Sequence, residues 1–246
     1  MLHHAALASV PGSINDPVSA NDTNLNGFLA ILVAAKDAGV KRVVYASSSA
    51  VYGDYPGLPN LEEHIGNPLS SYAANKYANE LYAGVFARNY GLESIGLRYF
   101  NIFGPRQDPA GAYAAVIPRW MASMSKNEPV TIYGDGTTTR DFCYIGNVVQ
   151  ANILAATTEN PAAVNQIYNI ATGEQTSLNK LYANLHEQLA LLHNAKPIYA
   201  AFRDGDIAYS VADVTKAKNL LGYAPAYSLA DGLRLSLPYY LAKSSA

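Results

Sequence analysis

Apolar and polar positions along this chain follow two periods in turn, one helical and one suited to buried strands. Over residues 20–38 the apolar Leu25, Phe28, Leu29 and Leu32 share one helical face. Gly39 then supplies the left-handed residue that ends such a helix. Residues 41–46 (Lys-Arg-Val-Val-Tyr-Ala) read as a short strand whose continuous apolar run suits a buried parallel sheet. The run stops at Ser47, Ser48 and Ser49. A second helix is expected over Tyr72–Asn89, capped by Ser71 and stopped by Gly91. A strand over residues 94–100 follows it. This alternation predicts an α/β fold with a parallel sheet.

Past Asn101 the pattern loosens, and Pro105, Pro109, Gly111 and Pro118 mark loop-rich ground. Strands are expected over residues 130–133, 166–170 and 197–202. Gly134-Asp135-Gly136 closes the first of these as a turn. Helices are expected over residues 146–158, 177–193, 213–221 and 229–242, the last bent by Pro238. The chain carries no internal repeat, low-complexity tract or flexible linker.

Composition narrows the function classes. Half of the 246 residues are hydrophobic, so a sizeable core is expected. A net charge of −2 with 15% charged residues argues against a nucleic-acid binder and against a disordered chain. Cys143 is the sole cysteine, which excludes an internal disulfide and reads as a reducing, cytoplasmic setting. No run of roughly 18 apolar residues provides a membrane span. The first residues lack the basic and apolar regions of a secretion signal. The 19 tyrosines pair apolar bulk with a polar tip, a combination suited to sugars and bases.

Tyr72 and Lys76, four residues apart, lie on one helix face. A free tyrosine, with a pKa of about 10, is a poor base near neutrality. A neighbouring ammonium favours phenolate, and a bound oxidised nicotinamide adds a second positive charge, so Tyr72 becomes a usable general base. Tyr-x-x-x-Lys alone is common by chance, and a surface pair without a role fits it equally. The serines narrow the pattern. They end a strand of an open α/β sheet, the edge at which ligands bind. A hydroxyl there can hydrogen-bond a substrate oxygen that loses its proton.

With these parts the chain resembles the extended short-chain dehydrogenase/reductases, specifically the nucleotide-sugar 4-epimerases, and within them the bacterial enzymes acting on N-acetylated UDP-hexosamines. The resemblance runs from Leu2 to about Tyr240. It is carried by residues 3–10 (His-His-Ala-Ala-Leu-Ala-Ser-Val), 99–104 (Tyr-Phe-Asn-Ile-Phe-Gly), 111–118, 133–136, Arg140-Asp141-Phe142 and 203–206 (Arg-Asp-Gly-Asp). It implies a Rossmann-like doubly wound parallel sheet with a small C-terminal substrate-binding lobe. The NAD-binding portion would comprise residues 1–101 with about 141–175 and 208–216. The UDP-sugar lobe would comprise about 102–140, 176–207 and 217–246.

The resemblance also implies roles. Tyr72, Lys76, Ser48 and Ser49 would be catalytic. His4, Ala5, Ala6, Leu7, Asn24, Ser48, Tyr72, Lys76 and Phe100 would line NAD. Ser9, Asn101, Gln107, Ala115, Val116, Tyr133, Arg140, Arg203, Asp206 and Ser210 would hold the UDP-sugar. Arg140 and Arg203 can each offer forked donors to phosphate oxygens, although either is equally a surface ion pair. Ser210 stands at the position beside the sugar 2-substituent, where a bulky Tyr would admit only plain hexoses and Ser leaves room for an acetamido group. Gln107 and Ser9 match contacts on that side. His64, His186 and His193 have no ligand spacing, and no metal site is expected.

The implied reaction is NAD-dependent 4-epimerisation of a UDP-N-acetylhexosamine, or of its uronic acid form, through a 4-keto sugar. A dehydratase or decarboxylase of the same fold is the neighbouring alternative, but Ser48-Ser49-Ala50 lacks the extra carboxylate such enzymes use. A homodimer through a helix bundle that includes Tyr72–Asn89 is also implied. No Gly-x-x-Gly-x-x-Gly or Gly-x-Gly-x-x-Gly run occurs in the 246 residues. The expectation is that three βα units, on the order of 90 residues, precede this sequence in the full enzyme. The alternative is a non-catalytic remnant that keeps UDP-sugar contacts.

Overall fold

The computed structural model describes residues 1–111, 114–189, 194–202 and 209–244. The chain divides into two compact units. The first holds Met1–Phe100, Val148–Ile170 and Ala212–Ala224, and the second Asn101–Asn147, Ala171–Val211 and Pro225–Ala246.

In the first unit, β1 (Leu2–His3), β2 (Arg42–Ser48), β3 (Glu93–Tyr99) and β8 (Gln166–Ile170) form one sheet in that order, and every pairing is parallel. Four more short strands lie between β3 and β8 in the chain: β4 (Ile102–Phe103), β5 (Thr131–Tyr133), β6 (Thr139–Arg140) and β7 (Cys143–Tyr144). They belong to the second unit. Ser47 of β2 stands opposite Arg98 of β3, and Ser48 opposite Tyr99.

Between β1 and β2 the chain forms α1 (Val10–Asn15), α2 (Pro17–Asn21), a π-helical turn at Asp22–Asn26 and α3 (Gly27–Asp37). The expected single helix over 20–38 is therefore α3 preceded by a π turn and a second helix. α1 is not foreseen from sequence because Pro11 and Gly12 read as breakers. Pro at the start of a helix is favourable, and Ser9 caps α1 by accepting from the Gly12 amide. The helix α4 (Ser71–Tyr90) begins one residue earlier than expected, and its cap is Ser70, which accepts from Ala73 N. Gly91 (φ 67°) ends it in the left-handed conformation. Phe28, Leu32 and Ala35 of α3 meet Val43 and Tyr45 of β2 and Ala83 and Phe86 of α4 in a buried cluster. That packing seats α4 beside β2. On the other edge α8 (Thr215–Leu221) buries Ala217 and Leu221 near β8.

The second unit packs α5 (Val116–Met124), α7 (Leu178–Gln188) and α9 (Leu229–Ser244) around Trp120, Met121, Leu181, Leu185 and Leu233. α5 starts inside the expected loop region, because Pro118 falls in its first turn, where no backbone donor is lost. Its sheets are two-stranded: β5 with β10 (Ile198–Ala200), β4 with β7, and β6 with β9 (Thr176–Ser177). α6 (Ile145–Thr157) runs from the second unit into the first. Among the described residues no helix is long and apolar enough to cross a membrane.

Candidate active site

The carboxyl end of β2 and the first three turns of α4 form the candidate site in the first unit. Ser48 ends β2 and caps the short 3-10 turn Ser49–Tyr52, its hydroxyl accepting from Ala50 N at 3.1 Å. The same hydroxyl faces the phenol of Tyr72, which is buried, and acts to lower its pKa. Ser49 begins the 3-10 turn and is half-buried. Lys76, one helical turn after Tyr72, is buried, and its Nζ donates to Ala46 O at 2.8 Å. Its ammonium lies 5.8 Å from the centre of the Tyr72 ring.

Burial dominates the electrostatics of this pair. It lowers Lys76 from 10.5 to about 8, with no neighbouring charge offsetting it. It raises the Tyr72 phenol, and the Ser48 hydroxyl pulls the other way. In the chain alone the phenol stands above its ordinary value, with burial as the largest cause.

The segment after β1 lies across the sheet edge. His4 Nε2 is 3.0 Å from both the Tyr99 hydroxyl and Asn152 Oδ1. Burial, followed by the charges of Lys76 and His4, lowers the neighbouring His3. Ala5 and Ala6 follow in irregular backbone and lead to Leu7. Asn24, buried inside the π turn, accepts from Leu7 N at 2.7 Å and donates to Leu7 O at 3.0 Å. Both ends of its amide are thus spent on holding the Leu7 loop. Phe100 is also expected to line the cofactor. Its side chain is fully buried against Tyr52, so only its backbone can serve there.

Beneath these residues lies a polar network that sequence reasoning missed. Glu80 of α4 takes both forks of Arg98, from Nε at 2.9 Å and Nη2 at 2.8 Å. Ser47 donates to the same carboxylate at 2.5 Å. Arg98 Nη1 donates to Glu62 O at 2.8 Å, and Asn169 N donates to Glu62 Oε1 at 2.9 Å. Tyr52 donates to Asn169 Oδ1 at 2.6 Å. These partners lie 18 to 117 residues apart, so only the fold brings them together.

In the second unit Asn101 takes a positive φ of 29° and donates to Asp141 O at 3.3 Å. Gln107 donates to Ile102 O at 3.2 Å, and its Oε1 is a buried acceptor with no partner among the described residues. The Tyr240 hydroxyl of α9 fixes this loop through Gly104 O at 2.9 Å and Gln107 O at 3.1 Å. Ala115 and Val116 form the N-terminus of α5. Tyr133 ends β5 and Arg140 ends β6, both half-buried, with Arg140 Nη1 donating to Thr139 O at 2.8 Å. Asp141 is fully buried and accepts from Thr172 N, Thr172 Oγ1 and Gly173 N at 2.8–2.9 Å. It fastens the loop after β8 to β6, a role that its place in the Arg-Asp-Phe run does not disclose. Ser210 is half-buried. Ser9 belongs to the first unit, where it caps α1. Arg203 and Asp206 lie outside the described residues.

Comparisons with known proteins agree with this arrangement. A UDP-glucose 4-epimerase of Mycolicibacterium smegmatis is 34% identical over 245 residues, covering 99% of this chain and 76% of that protein. A UDP-N-acetylglucosamine 4-epimerase of Methanobrevibacter ruminantium, of solved structure in complex with UDP-N-acetylmuramic acid, is 37% identical. Its TM-score is 0.93, over 98% of this chain and 76% of that one. The UDP-glucose 4-epimerase of Thermus thermophilus in complex with NAD is 35% identical. Its TM-score is 0.85, over 97% of this chain and 76% of that one. The family described as NAD dependent epimerase/dehydratase matches residues 1–171. On the match over most of its length, and on the parallel sheet with Tyr72, Lys76 and Ser48 gathered at one strand end, the chain belongs to the NAD dependent epimerase/dehydratase family.

Proposed function

We propose that this protein is an NAD-dependent UDP-sugar 4-epimerase, with a UDP-N-acetylhexosamine as its substrate. The observation that carries the reaction is the buried phenol of Tyr72, faced by the Ser48 hydroxyl, with Lys76 one helical turn away. The residues present fit the nicotinamide–ribose half of NAD. The Lys76 ammonium has three donors and uses one on Ala46 O, which leaves donors for ribose hydroxyls. NAD, when bound, supplies the acceptor and later the donor of the sugar C4 hydride.

Tyr72 takes the proton of the sugar 4-hydroxyl and later returns it, while Ser48 hydrogen-bonds the same oxygen. Tyr72 needs help to ionise, because burial raises its phenol. The ammonium of Lys76 is the cation nearest to hand, and it keeps its charge below about pH 8. Asn101 and Arg140 in the second unit, with Arg203, would hold the diphosphate while the sugar turns over. Binding energy from the unreactive nucleotide thereby retains the keto sugar between the two transfers.

Two features favour an N-acetylated sugar. Ser210 is small, and Gln107 Oε1 is a buried acceptor awaiting a donor, which an acetamido N–H would provide. The reaction is tested with Tyr72→Phe, which should lose at least about 100-fold in kcat, as for a missing acid–base group, and still bind UDP-sugar. Near-wild-type turnover in that variant overturns the reading.

A further inference from the structure

We infer that Ser47 is a positioning residue: its hydroxyl, held by Glu80, sets where the next residue, Ser48, sits against Tyr72. The inference rests on the function proposed for Tyr72 and Ser48. Three consecutive residues at the end of β2 are each engaged by a residue of α4. Ala46 O accepts from Lys76 Nζ at 2.8 Å, Ser47 Oγ donates to Glu80 Oε1 at 2.5 Å, and the Ser48 hydroxyl faces the Tyr72 phenol and lowers its pKa. Tyr72, Lys76 and Glu80 are spaced at four-residue intervals and so share one face of the helix. Strand end and helix thus meet at three points, with the reacting groups at one of them.

The Ser47–Glu80 link is the stiff one. Glu80 is 5% exposed, and both its oxygens are already gripped by the Arg98 fork, so the acceptor that Ser47 meets cannot swing. Arg98 in turn stands opposite Ser47 in the β2–β3 register, and its remaining Nη1 donates to Glu62 O. The chain from Ser47 outward is therefore anchored on two strands, a helix and the Glu62 loop. A lysine bond to a carbonyl fixes the distance of the strand end from the helix. The Ser47 hydroxyl adds a second point and fixes its rotation, which decides the direction of the Ser48 side chain. Glu80 and Arg98 satisfy each other without the serine, so Ser47 is not needed to neutralise either charge.

The test uses Ser47→Ala, which leaves the Glu80–Arg98 pair intact. Turnover of UDP-N-acetylglucosamine should fall about ten-fold in kcat with KM unchanged, the signature of a misplaced reacting group. The ¹³Cζ resonance of Tyr72 at neutral pH, assigned by its absence in Tyr72→Phe, should move as the Ser48 hydroxyl shifts against the phenol. Ser47→Thr, which restores the hydroxyl, should return both readings toward wild type. Ser47→Cys, a weak donor of similar size, serves if the alanine variant fails to fold. An unmoved Tyr72 resonance with wild-type kcat overturns the inference. The resonance needs no turnover, so a Tyr72→Phe protein that still epimerises would overturn the functional reading independently.

Discussion

Lys76 and Ala46 are joined by a hydrogen bond of 2.8 Å that brings an ammonium into a buried pocket where no neighbouring charge offsets it. Such a group destabilises the fold it serves. Its folded-state pKa, about 8, lies below the ordinary 10.5. Between those values the unfolded chain holds a proton that the folded chain has released, so stability rises with pH across that window. Below about pH 8 the full cost is present, about 3 kcal/mol from ~1.4 kcal/mol per pKa unit.

Lys76→Met should therefore inactivate the enzyme and stabilise it. Losing the Ala46 bond returns about 1 kcal/mol of the gain. The net rise in Tm at pH 7 should be on the order of 5 °C. Thermal denaturation at pH 7 and pH 10 checks this. The wild type should gain stability at the higher pH relative to the variant, and a lower Tm for the variant at pH 7 would contradict the account.

Glu80 and Arg98 make the opposite case, a buried pair at 1–2% side-chain exposure. Glu80→Ala leaves the Arg98 charge uncompensated and should cost about 3–5 kcal/mol in urea denaturation. Glu80→Ala combined with Arg98→Met should recover much of that loss, because the stranded charge is gone. A double variant no more stable than the single one would show that the bonds to Ser47 and Glu62 O matter more than the charge.

Gly53 follows the 3-10 turn with φ 55° and ψ −124°, a conformation open to glycine and strained for other residues. A Cβ there would sit 1.8 Å from Asn67 O, which is backbone. Gly53→Ala should thus destabilise by well over ~2 kcal/mol. Gly39→Ala, also at positive φ (65°) but with nothing within 4 Å of its Cβ, should cost about 1 kcal/mol. Equal losses in the two variants would show that the Asn67 contact relaxes freely.

Some of this architecture is legible in the sequence and some is not, for physical reasons. The helix α4 and strand β2 are readable because their apolar positions repeat locally, and Gly91 marks the end of α4 by its own conformational preference. α1 and α5 are hidden by Pro11 and Pro118, which break a helix interior but suit a first turn. The strand serines point to the site, yet their division of labour is not readable. Ser47 turns to Glu80 and Ser48 to Tyr72, and that depends on which side of β2 the helix packs. Family resemblance puts Asn24 at the cofactor, but the sequence does not disclose that its amide holds a loop 17 residues away.

Substrate choice gives a prediction in the second unit. Ser210→Tyr should lower kcat/KM for UDP-N-acetylglucosamine at least ten-fold relative to UDP-glucose, since bulk would stand where the acetamido group goes. Gln107→Leu should act in the same direction by removing the acceptor at Oε1. Competition assays with the two sugars measure the ratio directly, and an unchanged ratio in both variants would argue for a plain hexose as the natural substrate.

The pair of hydrogen bonds between Asn24 and Leu7 has a consequence for dynamics. A side-chain amide that meets both the N–H and the C=O of one residue imitates the neighbouring peptide unit of a sheet. Leu7 lies past the end of β1, yet its amide proton has the partner of a strand proton. Its exchange with solvent should then be slow, and it should be governed by the opening of the π turn at Asp22–Asn26 and not by fraying of the sheet edge. The Leu7 loop would loosen in step with the helix, so a substitution that tightens or relaxes that wide turn would be felt at Leu7.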